Sequence, residues 1–287
     1  MRWRELMPYL LVTPLVAVLK VFVAGPLCAV VAVSFFHYDN FAIIPAFTLE
    51  NYLHIITTPL TYQLYLSMIW FALLTWIFTL LIGITIAYFL VFHVRNPLIG
   101  IGLFLVCTVP FWTSNVIRLI SWLPLLGKQG LIHSALLGMG IVDHPLHFLL
   151  FSDFAVVVSY VHLFTIFMIV PLFNSMSRID RALFEASVDA GSSRWQTLLL
   201  VVVPLCRSGI VLGSIFVVTL VMGDFYVVKV MSGGSRASIV SAMSDDISTL
   251  LFPQAAANAV ILMIIVVMMV SVILRVVDVR KELVSEH

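Results

Sequence analysis

Charge is what this sequence has least of. Of 287 residues only 10% are Asp, Glu, Lys or Arg, 62% are hydrophobic, and the mean hydropathy is +1.15. Soluble domains carry about a quarter charged residues. A soluble fold of this size could not hide so much apolar surface, so an ordinary cytosolic enzyme is excluded. The same figures exclude disorder. Fifteen Lys+Arg against fourteen Asp+Glu leave a formal charge of +1, so no basic field draws nucleic acid. Cysteine is scarce as well. Cys28, Cys107 and Cys206 are an odd number lying in or beside apolar runs, and no disulfide framework follows. Zinc and dinucleotide spacings are missing, and so is Gly-x-x-x-x-Gly-Lys-Ser/Thr, so the chain does not bind ATP by that route. His54, His93, His133, His144, His147 and His162 show no metal-ligand spacing.

What is present is a series of long charge-free runs. They are Leu6 to Leu19, Val21 to Tyr38 after a lone Lys20, Asn51 to Val94, Asn96 to Ile117, Phe154 to Ser177, Trp195 to Gly223 broken only by Arg207, and Ile247 to Leu274. A bilayer crossing needs about 20 apolar residues. These runs are far longer than the alternating strands of a membrane β-barrel. They predict an all-α polytopic membrane protein, 1–287 as one transmembrane domain, with about six helices: 9–36, 64–92, 98–122, 153–174, 201–222 and 256–275. Thr57, Thr58, Pro59, Thr61 and Gln63 mark a loop leading into the second helix. Segment 123–150 carries Pro124, Gly127, Gly130, Gly138, Gly140 and Pro145. That is too broken for a span, and it suits short helices at the outer surface.

Lys and Arg set the orientation. Arg2, Arg4, Arg95, Arg178, Arg181, Arg194, Arg275, Arg280 and Lys281 fall on one side of a six-span chain. The other side has Lys128, Lys229 and Arg236, with Arg118 near a helix end. Both termini are therefore expected in the cytoplasm. The N-terminal apolar stretch is about twice signal-peptide length and reads as a retained first helix.

One cytoplasmic segment stands out, 178–204 between the fourth and fifth helices. Asp180 can cap a helix opening Arg181-Ala-Leu-Phe. Leu183, Phe184 and Val188 fall near one face. Gly191 permits a left-handed turn, Ser192 or Ser193 can cap a second short helix with Trp195, and Pro204 marks the start of the fifth helix. The result is a helix–turn–helix showing apolar side chains and a carboxylate, and such a surface calls for a partner protein.

Glu185-Ala186-Ser187, Gly191 and Val201-Val-Val-Pro204 resemble the cytoplasmic loop of ABC importer permeases, whose pattern is Glu-Ala-Ala, three residues, Gly, nine residues, Ile-x-Leu-Pro. Ser187 stands for Ala, and Val201 and Val203 stand for Ile and Leu. The resemblance makes 178–204 the coupling loop that docks on an ATPase subunit. Glu185, Ala186, Ser187, Asp189, Gly191 and Pro204 would be its working residues, with Glu185 facing a basic group.

A second resemblance covers most of the chain. Pro110-Phe-Trp-Thr-Ser-Asn-Val-Ile-Arg118-Leu-Ile-Ser-Trp122, Gly130-Leu-Ile, Pro145-Leu, Pro14, Pro26, Asn51-Tyr52 and Gly223-Asp-Phe-Tyr226 leading to Ser232-Gly-Gly234 look like the spermidine/putrescine-type permease family. The resemblance implies a type I ABC importer permease fold in the bacterial inner membrane, working by alternating access. The implied partners are a second homologous permease, two ATPase subunits and an extracytoplasmic solute-binding protein. It implies no cofactor in this chain, since ATP and Mg belong to the ATPases, and no catalysis by the chain itself. Polyamine is the implied solute; the family also takes up opines and other small nitrogen-containing solutes, so an opine or amino-acid-like cargo stays open. An ion-coupled secondary transporter would want acids inside the spans, and the second, third and fourth helices have none.

Candidate pathway residues are Trp112, Asn115, Asp224 and Tyr226. A carboxylate beside aromatic faces is how a protein holds an ammonium group; the alternative for Asp224 is a helix-end charge at the outer interface, and for Trp112 and Asn115 helix packing. Lys20 reads as a structural or interface charge that pairs or snorkels. Trp70, Trp76 and Trp122 read as packing or interfacial anchors. Asp245 and Asp246 read as outer-loop groups.

Overall fold

Proline and glycine decide where the apolar runs become helices and where they bend. The computed structural model describes residues 12–39, 42–94, 96–140 and 148–276. It divides into two compact units, Met1–Gln63 with Ile239–Ile265, and Leu64–Ser238 with Val266–His287.

In the first unit α1 runs Val12–Val33 with a π-helical stretch at Lys20–Ala24. Lys20 is exposed at the start of that stretch. A short hairpin pairs β1 (His37–Asp39) antiparallel with β2 (Ala42–Ile44). Helix α2 (Glu50–Thr57) follows, inside the stretch expected to be a loop. Its residues tie down the end of α1. The Asn51 Nδ2 donates to the carbonyls of Ser34 (3.0 Å) and Phe36 (2.9 Å), the hydroxyls of Ser34 and Tyr52 lie 2.6 Å apart, and Phe35 stacks on Phe47. Asn51-Tyr52 is thus a clamp, in which Asn51 satisfies carbonyls left open at the helix end and Tyr52 pairs with the Ser34 hydroxyl.

Helix α3 (Pro59–Tyr88, with a π turn Phe89–His93) starts earlier than the expected 64. Thr58 is extended, as a residue before proline prefers, and Pro59 sits where a missing N–H costs nothing. In the second unit α3 is followed by α4 (Pro97–Thr108), which ends in a 3₁₀ turn Val109–Trp112, then α5 (Asn115–Ile120), α6 (Trp122–Leu126) and α7 (Leu131–Gly138). The expected single helix over 98–122 is corrected here. The chain bends by 92° between Leu98–Trp112 and Asn115–Gly138. Pro110 and the extended Thr113 explain the break. The short helices expected within 123–150 are α6 and α7; 141–147 lies outside the described residues.

Helix α8 (Asp153–Met176) is the axis of the second unit. Three glycines bring other helices onto it. A Cβ at Gly83 of α3 would sit 2.7 Å from Met168, one at Gly213 2.5 Å from Met168, and one at Gly209 2.6 Å from the Pro171 carbonyl. Gly209 and Gly213 belong to α11 (Arg207–Met222), which touches α8 backbone-close, while α3 meets α8 at Gly83 through the Met168 and Leu172 side chains. Aromatic pairs hold α4 antiparallel to α8: Phe104 stacks on Phe173 and Phe111 meets Phe167 edge-on. Trp76 adds a 2.7 Å hydrogen bond from its indole N–H to Ser214.

Between α8 and α11 lie α9 (Arg181–Asp189) and α10 (Arg194–Thr197), the latter continuing through a π stretch Leu198–Val202 to Leu205. The fifth helix was expected over 201–222. The helix is instead broken at Cys206, where Arg194–Leu205 meets Arg207–Met222 at 75°. Pro204 therefore sits two residues before the bend at Cys206, inside the Arg194–Leu205 helix rather than at its start. It lacks the N–H that would continue the ladder, and the π stretch just ahead of it widens the turn. Helix α12 (Tyr226–Met231), α13 (Ile239–Ser248, first unit) and α14 (Phe252–Val276) complete the chain.

Among the described residues four helices are long and apolar enough to cross a bilayer, Val12–Val33, Pro59–His93, Asp153–Met176 and Phe252–Arg275, and up to six if each bent pair is one span. Arg2, Arg4, Arg95, Arg280 and Lys281, which carry much of the orientation argument, lie outside the described residues.

Candidate functional site

The loop between α8 and α11 is built from local side chain–backbone bonds. The Asp180 Oδ1 accepts the Ala182 N–H at 2.9 Å and caps α9. At the other end Gly191 takes φ +85°, its N–H donates to Val188, and the Ser192 N–H reaches back to Ser187. That is a Schellman closure, and the left-handed residue is the glycine. Ser193 then caps α10 reciprocally. Its Oγ accepts from the Gln196 N–H, and the Gln196 side-chain oxygen accepts from the Ser193 N–H at 2.8 Å. Of the two serines considered for this cap, Ser193 holds it.

Ser187 replaces the second alanine of the importer pattern, and its hydroxyl lies 3.1 Å from that of the buried Thr197. The substituted position is thus a cross-brace between α9 and α10. The expected apolar face divides in two. Phe184 turns inward and stacks on Phe92 at 5.0 Å, while Arg181 donates to the Val91 carbonyl at 3.2 Å, which anchors α9 to the end of α3. Leu183 and Val188 remain exposed, as do Glu185, Ala186, Asp189 and Trp195. What the loop offers a partner is a rigid pair of capped helices with two aliphatic side chains and carboxylates around them.

A cavity of about 680 Å³ lies among α4, α8 and α11. Phe111, Trp112, Phe167 and Phe216 form its apolar wall, and Asn174 and Arg178 lie on its polar part. Ser175 and Ser208, 3.2 Å apart across α8 and α11, also line it. Trp112 is the one pathway candidate that lines this cavity. Asn115 is at the first turn of α5, exposed, accepting a hydrogen bond from Arg118. Asp224 accepts from the Val227 N–H at 2.9 Å and from the Tyr160 hydroxyl at 3.3 Å, so it caps α12 and braces it to α8. Burial raises its carboxyl above the ordinary value, opposed by those hydrogen bonds. Tyr226 opens α12 and is half-buried. Asn174, Ser175 and Ser208 escaped the sequence reading. The available signal was a polar residue standing alone in a charge-free run.

A backbone-close pair of spans, a bent pair on each side of α8, and a capped loop between α8 and α11 fit a membrane permease of the ABC importer type. The fold agrees. A chain of the crystallised bacterial ABC transporter that imports the acidic polysaccharide alginate superposes with a TM-score of 0.74 at 13% identity, covering 96% of this chain and 98% of that one. The alginate transporter in complex with a pentasaccharide-bound periplasmic protein gives 0.70, covering 94% and 93%. No family model matches the chain. The spermidine/putrescine transport system permease protein PotB of Escherichia coli K12 is 31% identical over 266 residues, 91% of this chain and 94% of that protein. This chain belongs to the spermidine/putrescine transport system permease family.

Proposed function

We propose that the chain is a transmembrane subunit that moves a polyamine, putrescine or spermidine, inward across the bacterial inner membrane, driven by separate ATPase subunits. The observation that carries the reading is the match to PotB over 91% of this chain, joined to a loop whose left-handed glycine falls where the importer pattern puts its Gly. The chain would work as one permease of a pair, with two ATPase subunits below and a solute-binding protein above. The alginate system with its periplasmic protein is the precedent for that last partner.

The 178–204 segment acts as the coupling loop. Glu185 and Asp189 meet cationic groups of the ATPase, Leu183 and Val188 pack in its groove, and Gly191 and Ser187 keep the two helices one body. A coupling element must move rigidly to transmit displacement. Solute passes the aromatic wall that holds Trp112, where π faces suit ammonium groups. Asp224 holds the outer end of α8 to α12. The termini lie in the cytoplasm and 123–150 at the outer face.

The test is uptake by the assembled importer in sealed, ATP-loaded vesicles, using labelled putrescine and spermidine with opine and amino-acid competitors. ATP-dependent polyamine uptake that these competitors leave unchanged supports the reading. Its absence alongside transport of a competitor removes the polyamine and keeps the permease.

A further inference from the structure

The wall that α8 gives to the cavity is a straight run of side chains. Phe167, Val170, Pro171 and Asn174 recur at the i, i+3, i+4, i+7 interval that puts residues on one helix face, and all four line the cavity. At 1.5 Å per residue Asn174 stands about 10 Å from Phe167 along the axis. Arg178, just past the end of α8, lies about 6 Å further on by the same rise.

The chemistry changes along this run. At the Phe167 end its ring meets Phe111 edge-on with centroids 5.5 Å apart and lies 6.3 Å from Phe216, and Trp112 follows Phe111 in the cavity lining. Pro171 has no N–H to give, so the Phe167 carbonyl is left without its ordinary helical donor. Aromatic faces and a carbonyl oxygen are what an ammonium group binds. Val170 and Pro171 then make an apolar stretch that suits methylenes. At the far end Asn174 supplies an amide oxygen, and the Ser175 and Ser208 hydroxyls, 3.2 Å apart, supply further acceptors. Only beyond these comes a charge, and it is the cation Arg178. None of the residues lining the cavity is acidic, so a cation is held here by position rather than by charge pairing.

Two weak ammonium stations about 10 Å apart measure length. Extended spermidine spans about 11 Å between its terminal nitrogens, putrescine about 6 Å and spermine about 16 Å, at C–C and C–N bond lengths of about 1.5 Å. Spermidine reaches both stations. Putrescine reaches one at a time and loses the gain of simultaneous engagement. Spermine overshoots Asn174 and carries its last ammonium to the Arg178 guanidinium, where like charges repel. We infer that this cavity selects its cargo by length, with Asn174 as the specificity-determining acceptor and Arg178 as the far limit. The inference rests on the polyamine reading and adds to it a filter inside the permease, downstream of any choice made by a solute-binding protein.

The experiment uses the complete importer in nanodiscs without a solute-binding protein, so that only the membrane chains discriminate. Saturation-transfer difference NMR, which detects weak ligands, gives the relative affinities of putrescine, spermidine and spermine. Spermidine should bind about fivefold or more tightly than either of the others, the gain from engaging two stations at once. Asn174→Leu should bring the spermidine-to-putrescine ratio to about one, whereas Asn174→Gln keeps the amide and should keep most of the preference. Equal loss in both variants would assign the effect to packing and overturn the proposal. Arg178→Gln should raise spermine to within about twofold of spermidine by removing the like charge. Equal binding of the three solutes by the wild-type importer overturns the length filter. So does a preference that survives Asn174→Leu, or a spermine penalty that survives Arg178→Gln. Uptake by ATP-loaded vesicles separates the two readings. Polyamine uptake with equal binding refutes the length filter alone, while absence of both uptake and binding refutes the polyamine cargo and the filter with it.

Discussion

Gly191→Ala isolates the backbone contribution to coupling. The residue sits at φ +85°, and a Cβ built there meets nothing within 4 Å. The substitution therefore introduces no clash, and its cost is the left-handed conformation itself, about 1–2 kcal/mol for an L-residue. That corresponds to roughly a 5–30-fold fall in the population of the closed turn relative to its open alternatives. The Gly191 and Ser192 N–H bonds to Val188 and Ser187 open together, and α9 and α10 are then braced only by the Ser187–Thr197 hydroxyls. The expected phenotype in proteoliposomes is near-normal basal ATP hydrolysis with several-fold less solute moved per ATP. Gly191→Asn is the discriminating control. Asn is larger than Ala but tolerates the left-handed region, so it should recover most of the coupling. If Ala matches wild type, or if Asn is as damaging as Ala, the side chain rather than the turn is being felt and the rigid-body reasoning fails.

Glu185→Ala should reduce ATPase co-purification or uncouple hydrolysis from uptake by about tenfold, the worth of one well-placed charge pair; unchanged coupling removes Glu185 from the interface. Gly209→Ala places a Cβ 2.6 Å from the Pro171 carbonyl and should destabilise the chain by about 1–3 kcal/mol, whereas Gly102→Ala meets nothing within 4 Å and should melt like wild type in the same detergent. The Asp246 carboxyl is held above its ordinary value by burial and then by Asp245, against Asn258 and His54. A raised acid favours the protonated fold, so stability is highest below the ordinary aspartate value and falls as pH rises through the raised one. Asp246→Asn should flatten that part of the melting-temperature profile; an unchanged slope contradicts the assignment.

The loop was legible because its structure is local. Asp180, Gly191 and Ser193 act on backbone groups two or three residues away, and such bonds leave a signature in sequence. The bends at 113–114 and at Cys206 were not read, because a hydropathy run counts residues and is blind to direction. Pro110 and Pro204 were visible, yet a proline in an apolar run marks a kink, a start or a stop equally well. Phe184 was assigned to the partner-facing side because its spacing matches Leu183 and Val188; only the packed end of α3, ninety residues away, pulls it inward. Trp112 was recoverable from its motif. Asn174, Ser175 and Ser208 form a cavity wall only once Gly209 has brought α11 against α8.

The anchoring of α9 decides where a force on the loop goes. Covalently the loop joins α8 to α11. Through Phe184 on Phe92 and Arg181 on the Val91 carbonyl it also holds the end of α3. Those three helices are the ones locked together by Gly83, Gly209 and Gly213 around Met168 and Pro171. Close-packed interfaces of this kind shift as blocks rather than deform continuously. A displacement of the loop therefore enters α3, α8 and α11 at once, and α8 and α11 carry the polar wall of the cavity. The aromatic wall is shared: Phe111 and Trp112 stand on α4 and its 3₁₀ turn, Phe167 on α8 and Phe216 on α11, and Phe111 meets Phe167 edge-on, so a push on the loop reaches the α4 side of the cavity through that ring contact.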